Sequence, residues 1–165
     1  MILLSLLVSG PALAREALPV VANEVPTPVE TYIHRLVNRI RGENHLPILK
    51  MSSPLQRLAR DHSRYMANNG YLGHGKGNGR DFKSRIKKSE MKGWRTVGEN
   101  VGRSFGYRDN ARTIVSGWME STSHRDNILS RDYDTTGIGA AMDEKGTLYA
   151  TQIFLGSSDN DTELK

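Results

Sequence analysis

The sequence predicts a single domain that layers helices against a small β-sheet formed late in the chain. Apolar residues recur at helical spacing in three segments before residue 120 and alternate with other residues near the end. The length of 165 residues is enough to bury one hydrophobic core without disulfides. This combination is typical of the mixed α+β class, in which amphipathic helices bury their apolar faces against a sheet.

The N-terminus is typical of a secretory signal peptide at residues 1–14. The apolar run Ile2–Val8 and the A-x-A pattern ending at Ala14 predict cleavage after Ala14, and hence a secreted, periplasmic or cell-envelope location. The run is shorter than the roughly 20 residues of a membrane span, so we expect no such span in the mature protein. A buried N-terminal strand is the alternative. Residues 15–26 form a short leader.

Composition narrows the class of protein further. The chain has no cysteine, which favours a bacterial exported protein over a small disulfide-rich eukaryotic domain. Its net charge of +5 permits attraction to anionic surfaces but identifies no partner. The basic excess lies between Arg80 and Arg95, which we interpret as a solvated surface segment. It contains only two aromatic residues, so we expect no specific nucleic acid binding.

Start signals mark the first helix. Thr27 is the predicted N-cap, Pro28 occupies the first helical position, and Glu30 completes a capping box. The apolar stripe that follows ends at Gly42, which is a typical helix stop. A helix is therefore predicted from Pro28 to Gly42.

Two further helices follow. The second repeats the same start signals, so Ser53 is its predicted N-cap; it is predicted to end at Gly70 and carries His62 on its apolar face. A histidine there is expected to be buried and hydrogen-bonded, the alternative being a ligand. The third starts with Asp109 or Asn110 as its cap.

Strands are predicted in three places, and a polar tail closes the chain. Apolar residues that alternate on either side of a turn predict a hairpin with strands at 136–142 and 147–155. A further strand is predicted before it, at 97–101. The last residues, 157–165, are polar and are predicted to be a flexible tail.

Three polar side chains are candidates for one site. His74, Glu99 and His124 each lie beside glycines or at the end of a predicted element, where loops on a rigid scaffold assemble sites. Two imidazoles and one carboxylate are compatible with zinc. The alternatives are structural: His124 caps a helix C-terminus, and Glu99 binds backbone N–H groups. The G-x-S-x-G match at 102–106 lacks the apolar helix that a nucleophile elbow needs.

The order of several short motifs carries a resemblance. The motifs are NRIR at 38–41, LGH at 72–74, GENVG at 98–102, WMESTSHRDNIL at 118–129, TGIG at 136–139 and YATQIF at 149–154. From about residue 32 to 156 the chain resembles the CAP superfamily, or SCP domain, in its cysteine-free bacterial branch. The resemblance implies a single three-layer α-β-α sandwich, here 27–156, with a central cleft.

The resemblance also assigns residues to that cleft. It implies that His74, Glu99, Ser121, His124 and Asn127 line the cleft, with His74, His124 and Glu99 as ligands of a divalent cation such as zinc. Ser121 stands where eukaryotic members place a second glutamate, so the cleft has one carboxylate.

Helical spacing around Trp118 separates buried from exposed side chains. Trp118 lies in the middle of an apolar stripe and is predicted to be core, whereas Glu120 lies about 200° round the helix, on the solvent side. Glu120 is therefore not expected to replace the missing carboxylate. This weakens any mechanism that needs two carboxylates.

The function expected from these observations is an exported monomeric binding module for a divalent cation or a polar or lipid ligand. The alternative is a metal-assisted, peptidase-like extracellular hydrolase that uses the same cleft. A third possibility is a carrier of an apolar ligand that uses a surface away from the cleft, with the basic segment 80–95 against a cell-envelope component.

Overall fold

The computed structural model describes residues 25–75, 80–89 and 91–158. The predicted signal peptide, the leader up to residue 24 and the tail from residue 159 lie outside them. The helices in the described residues are α1 (Pro28–Glu43), α2 (Ser53–Asn69), α3 (Phe82–Lys88), α4 (Asn110–Glu120) and α5 (Thr122–Leu129). The strands are β1 (Lys50–Met51), β2 (Trp94–Ser104), β3 (Thr135–Met142) and β4 (Leu148–Ser157).

The strands form one mixed sheet in the order β1-β3-β4-β2. β4 pairs antiparallel with both β3 and β2, whereas the short β1 pairs parallel with β3. The predicted hairpin and the predicted third strand are therefore confirmed, and β2 is longer than predicted. β4 extends to Ser157, because Asp134 Oδ2 accepts hydrogen bonds from the Ser157 N–H and hydroxyl at 2.8 and 2.6 Å.

Helices cover both faces of this sheet, which confirms the three-layer sandwich. Consecutive residues of a strand point to opposite faces. Ile153 packs with Leu55 of α2 and Ile86 of α3. Its neighbour Phe154 packs with the core residues of α1, α4 and α5. Trp118 is 2 % exposed in that second core, as predicted.

Local chemistry sets the helix starts. The Thr27 and Glu30 side chains form the predicted capping box of α1. Gly42 lies inside α1, which ends at Glu43. The prediction that Ser53 caps α2 is wrong, because the N-cap is Ser52. The Ser52 N–H donates to Thr136 O at 2.8 Å, which holds Ser52 extended beside β3, and the helix starts at the next residue.

The close contact between α2 and β3 depends on two glycines. A Cβ atom on Gly137 would lie 2.2 Å from the backbone of Leu55, and one on Gly139 would lie 2.1 Å from the backbone of Ala59. Side chains at these positions would push the helix away from the sheet. The TGIG segment is therefore a packing surface for α2.

A buried arginine fixes the segment between α5 and β3. Arg41 is 0 % exposed and donates to the carbonyl oxygens of Pro47, Ile128, Ser130 and Tyr133 at 2.8–3.3 Å. Burial, with the nearby Arg131 charge, lowers the pKa of Arg41 below its ordinary value. These bonds tie α1 to the C-terminal end of α5.

The prediction that the segment from residue 80 to 95 is a solvated surface is wrong in part. Asp81 accepts the Ser84 N–H at 3.0 Å and starts α3, which buries Ile86 against α2 and β4. The lysines at 83, 87 and 88 are exposed, as expected for a solvated face.

The segment after Trp118 contains two helices. α4 ends at Glu120, and Ser121 has extended backbone angles (φ −88°, ψ 122°), so it caps both α4 and α5. His124 therefore lies in the first turn of α5. The alternative that His124 caps a helix C-terminus is wrong. Glu120 is exposed, as its helical position predicted.

Candidate functional site

Glu99 lies on β2, the strand at one edge of the sheet, and faces the layer of α2 and α3. It pairs with Ile153 in the register of β2 and β4, and paired residues share a face. Its side chain is 1 % exposed. A buried carboxylate needs charged or hydrogen-bonded partners, and it finds two in this layer.

The two partners are His74 and Arg85, and we call the three residues the Glu99 cluster. His74 Nδ1 lies 2.8 Å from Glu99 Oε1. Arg85 Nη2 donates to both carboxylate oxygens, at 3.0 Å to Oε1 and 2.8 Å to Oε2. Both oxygens of Glu99 are therefore engaged, and its charge is compensated by the guanidinium.

His62 and Arg85 position the loop that carries His74. His62 Nε2 lies 2.8 Å from the carbonyl oxygen of Gly73, and Arg85 Nη2 donates to the carbonyl oxygen of His74 at 3.3 Å. His62 is 2 % exposed, which confirms the expectation of a buried, hydrogen-bonded histidine. The His74 side chain, in contrast, is 53 % exposed.

The histidines differ in how readily they take up a proton. The hydrogen bond to Glu99 raises the pKa of His74, outweighing the opposite effects of burial and of Arg85. Burial lowers the pKa of His62. Burial, together with the His74 charge, also lowers the pKa of His124. His74 is thus the imidazole of the three that is most readily charged.

α5 approaches β2 from the opposite face at the same edge of the sheet. Asn100 Nδ2 donates to the carbonyl oxygen of His124 at 3.0 Å. Asn127 Nδ2 donates to Asn100 Oδ1 at 2.9 Å and to the carbonyl oxygen of Glu99 at 3.4 Å. A Cβ on Gly98 would lie 2.5 Å from the Tyr133 hydroxyl and 2.8 Å from Asn127 Oδ1, so the glycine lets both side chains come close to β2.

The structure brings some of the predicted site residues together and leaves one of them apart. His74 and Glu99 are in contact, Asn127 binds the backbone of Glu99, and the charge of His74 acts on His124. The Ser121 hydroxyl lies 3.4 Å from that of Ser123, and within the described chain no hydrogen bond joins it to the other four.

Sequence reasoning did not identify Arg85, because a run of basic residues is usually solvated. Phe82 and Ile86 lie four residues apart on α3 and both pack against the core. Arg85 is three residues after Phe82 and therefore shares that face. This spacing is the signal that separates Arg85 from the exposed lysines around it.

The predicted ligand set does not fit a bound divalent cation as it is arranged here. Both oxygens of Glu99 are bonded to His74 and Arg85, and a guanidinium is within the cluster. Over residues 25–75, 80–89 and 91–158, no group of three or more His, Cys, Asp or Glu side chains is placed to hold a metal ion.

A separate apolar cavity lies beside α3. Its volume is about 600 Å³, and it is lined by Phe82, Lys83, Ile86, Lys87, Met91, Trp94 and Val97. Trp94 is 39 % exposed, and its Nε1 donates to the carbonyl oxygen of Met91 at 3.1 Å, which fixes the indole in the wall. The volume is within the range of small-molecule sites.

Two Bacillus subtilis proteins are similar to this chain in sequence. The uncharacterized membrane protein YlbC is 31 % identical over 132 residues, which cover 80 % of this chain and 36 % of YlbC. The uncharacterized protein YkwD is 30 % identical over 135 residues, which cover 79 % of this chain and 49 % of YkwD. The chain thus spans less than half the length of these relatives.

Solved structures share the fold. An extracellular protein of Bacillus anthracis that contains an SCP domain superposes with a TM-score of 0.68 at 25 % identity, covering 90 % of this chain and 45 % of that protein. An outer surface protein of Borrelia burgdorferi superposes with a TM-score of 0.69 at 17 % identity, covering 81 % of this chain and 97 % of the Borrelia protein. The second likeness shows the fold alone.

Among the helices of the described residues, none has the length and apolar character to cross a membrane. The family model described as "CAP: Cysteine-rich secretory protein family" matches residues 34–154, and the motifs that build the Glu99 cluster lie within that range. This chain, which has no cysteine, belongs to the CAP family.

Proposed function

We propose that this protein is an exported binding module that holds a polar ligand of the cell envelope at the Glu99 cluster. His74 and His124 contact the ligand, and Glu99 acts behind them. The extracellular Bacillus anthracis protein that shares the fold supports the exported location.

One observation carries the proposal: a half-exposed imidazole is backed by a buried carboxylate. The bond from Nδ1 to Glu99 fixes the His74 ring, and within the described chain no hydrogen bond occupies its Nε2. A ring nitrogen that is oriented and accessible is suited to bind a polar group. The Asn100 and Asn127 bonds hold α5, the helix that carries His124, against β2.

The competing proposal, metal-assisted hydrolysis, has less support. It needs a metal and a carboxylate that acts as a general base. Both oxygens of Glu99 are already bonded, and Arg85 compensates its charge. We therefore favour binding without covalent chemistry.

The test uses soluble peptidoglycan fragments as the probe, with inorganic phosphate as a second one. Titration of the fragments into isotope-labelled protein should shift the NMR signals of the His74 and His124 rings, and the shift should reach saturation. The His74→Ala/His124→Ala double variant should lose the binding, and His45→Ala, which removes an exposed histidine from the loop after α1, should keep it. Absence of a saturable shift with both probes contradicts the proposal, and hydrolysis of the fragments would favour the competing one.

The apolar cavity beside α3 supports a second candidate function, the carriage of an apolar ligand. Its walls are mostly carbon, and Lys83 and Lys87 at its rim suit an anionic head group. Palmitate is the probe. Its binding should change the emission of Trp94, whereas Trp118 is buried and gives a constant background. Trp94→Phe should abolish the change, and no response in the wild type excludes this candidate.

A further inference from the structure

We infer that Arg85 determines the specificity of the Glu99 cluster by excluding divalent cations from it. The inference rests on the proposed function only in placing the ligand at His74. It concerns which class of ligand the cluster accepts, and it assigns this role to a residue outside the predicted ligand set.

Arg85 occupies the carboxylate that a cation would need. One nitrogen of its guanidinium bonds both oxygens of Glu99, and the two side chains are 13 % and 1 % exposed. A cation would have to displace a buried ion pair before it could reach Glu99. Breaking such a pair leaves a buried charge without compensation, which is strongly unfavourable.

The guanidinium is fixed from several sides. Its Nε donates to the carbonyl oxygen of Arg80 at 3.0 Å, its Nη2 donates to that of His74, and its centre lies 5.6 Å from the centroid of the Phe82 ring. Nη1 is buried and has no hydrogen-bond partner among the described residues. Arg85 is thus held in place by its surroundings, with one donor unsatisfied.

Without Arg85, Glu99 and His74 would be available to bind a cation. A carboxylate and an imidazole are both ligands of zinc when the carboxylate is ionised and the imidazole is neutral. Removal of the guanidinium leaves Glu99 with an uncompensated charge and removes a positive charge that repels the ion. The cluster should then attract divalent cations.

The test compares zinc binding by calorimetry at one neutral pH. For Arg85→Gln we expect the Kd for zinc to fall at least about tenfold relative to the wild type. Lys83→Gln is the matched control, because it removes the same charge from an exposed position on the same helix; its Kd should not change. Arg85→Lys keeps the charge and should bind zinc nearly as weakly as the wild type.

A double variant shows whether Arg85 acts through Glu99. Arg85→Gln/Glu99→Gln should lose the gain in zinc affinity. An unchanged Kd in a folded Arg85→Gln protein overturns the inference, as does an equal gain in Lys83→Gln. If Arg85→Gln does not fold, zinc binding by the wild type and by Glu99→Gln is the test. Tight zinc binding by the wild type that is lost in Glu99→Gln would overturn the inference. Failure of the fragments to bind the wild type contradicts the proposed function and leaves this result unaffected.

Discussion

Glu99 holds the two other members of its cluster in place. Its carboxylate accepts from Arg85 on α3 and lies against Nδ1 of His74 on the preceding loop. A carboxylate that bonds one ring nitrogen fixes the ring orientation and raises the basicity of the other nitrogen. The chemistry of His74 therefore depends on a side chain that solvent hardly reaches.

Replacement of Glu99 should change the titration of His74. In Glu99→Gln we expect the pKa of His74 to fall, because the hydrogen bond to Glu99 is the largest cause of its elevation. NMR titration of the ring signals measures the change. Glu120→Gln removes an exposed carboxylate from α4 and should leave the pKa of His74 as it is. Equal pKa values in wild type and Glu99→Gln would contradict the role given to this bond.

The same bond makes stability depend on pH. A group whose pKa is raised in the folded state stabilises the protein fully below its unfolded pKa, which for histidine is about 6.5. That contribution is lost as pH rises through the raised folded pKa of His74. Glu99→Gln should flatten this part of the stability curve.

The helices and strands differ in how far their own sequences determine them. The capping box of α1, the hairpin of β3 and β4 and the apolar stripe of α4 could be predicted, because each signal is local. β1 and the exact start of α2 could not be predicted. β1 has two residues, and the bonds that hold both it and Ser52 come from β3.

The contact between α2 and β3 should be sensitive to one added methyl group. Gly139→Ala should destabilise the protein by about 1–3 kcal/mol, because its Cβ would overlap the backbone of Ala59. Urea denaturation measures the effect. Gly117→Ala is the control, since a Cβ there meets nothing within 4 Å on a helix. It should raise stability by up to about 1 kcal/mol, and a larger loss in the control would refute the packing argument.

Trp118 should contribute to stability and not directly to ligand binding. Its indole is buried on α4 and donates to the carbonyl oxygen of Val101 at 3.0 Å. Trp118→Ala should cost about 3–5 kcal/mol in the free energy of unfolding. Trp94→Ala, at a partly exposed position, should cost clearly less. A normal melting midpoint in Trp118→Ala combined with altered ligand binding would reverse the assignment.

For the whole molecule, the layered fold and the contact between His74 and Glu99 could be predicted, and the contact between Arg85 and Glu99 could not. His74 and Glu99 are in contact, and their proximity could be predicted because His74 follows a helix and Glu99 lies on a strand that local patterns identify. The position of Arg85 depends on how α3 packs on the sheet. A charge in a basic run becomes a site residue only through that tertiary contact.

A buried ion pair joins three elements and should govern acid unfolding. Glu30 on α1 accepts from Arg60 of α2 at 2.7 Å and from the Ala140 N–H of β3 at 3.2 Å. Burial acts to raise the pKa of Glu30, but its bonds to Arg60 and Thr27 outweigh burial and leave the pKa below the ordinary value. The stabilisation is therefore present above the unfolded pKa of about 4.3 and is lost as pH falls through the folded pKa.

Glu30→Gln should lower the free energy of unfolding at neutral pH by about 3–5 kcal/mol, since it removes one partner of a buried ion pair. The difference from the wild type should shrink at acid pH, as measured by urea denaturation at several pH values. Glu43→Gln, at an exposed position of the same helix, is the control. A difference that does not vary with pH would exclude this account.

The position of β2 at the edge of the sheet has a consequence for how molecules meet one another. An edge strand offers unpaired backbone groups on which a strand of a second molecule can extend the sheet. Here the carbonyl oxygens of Glu99 and Val101 are taken by Asn127 and Trp118. Asn127 and Trp118 thus cover two acceptors of this edge, so a substitution of Asn127 or Trp118 would leave a backbone acceptor open to intermolecular pairing and favour aggregation.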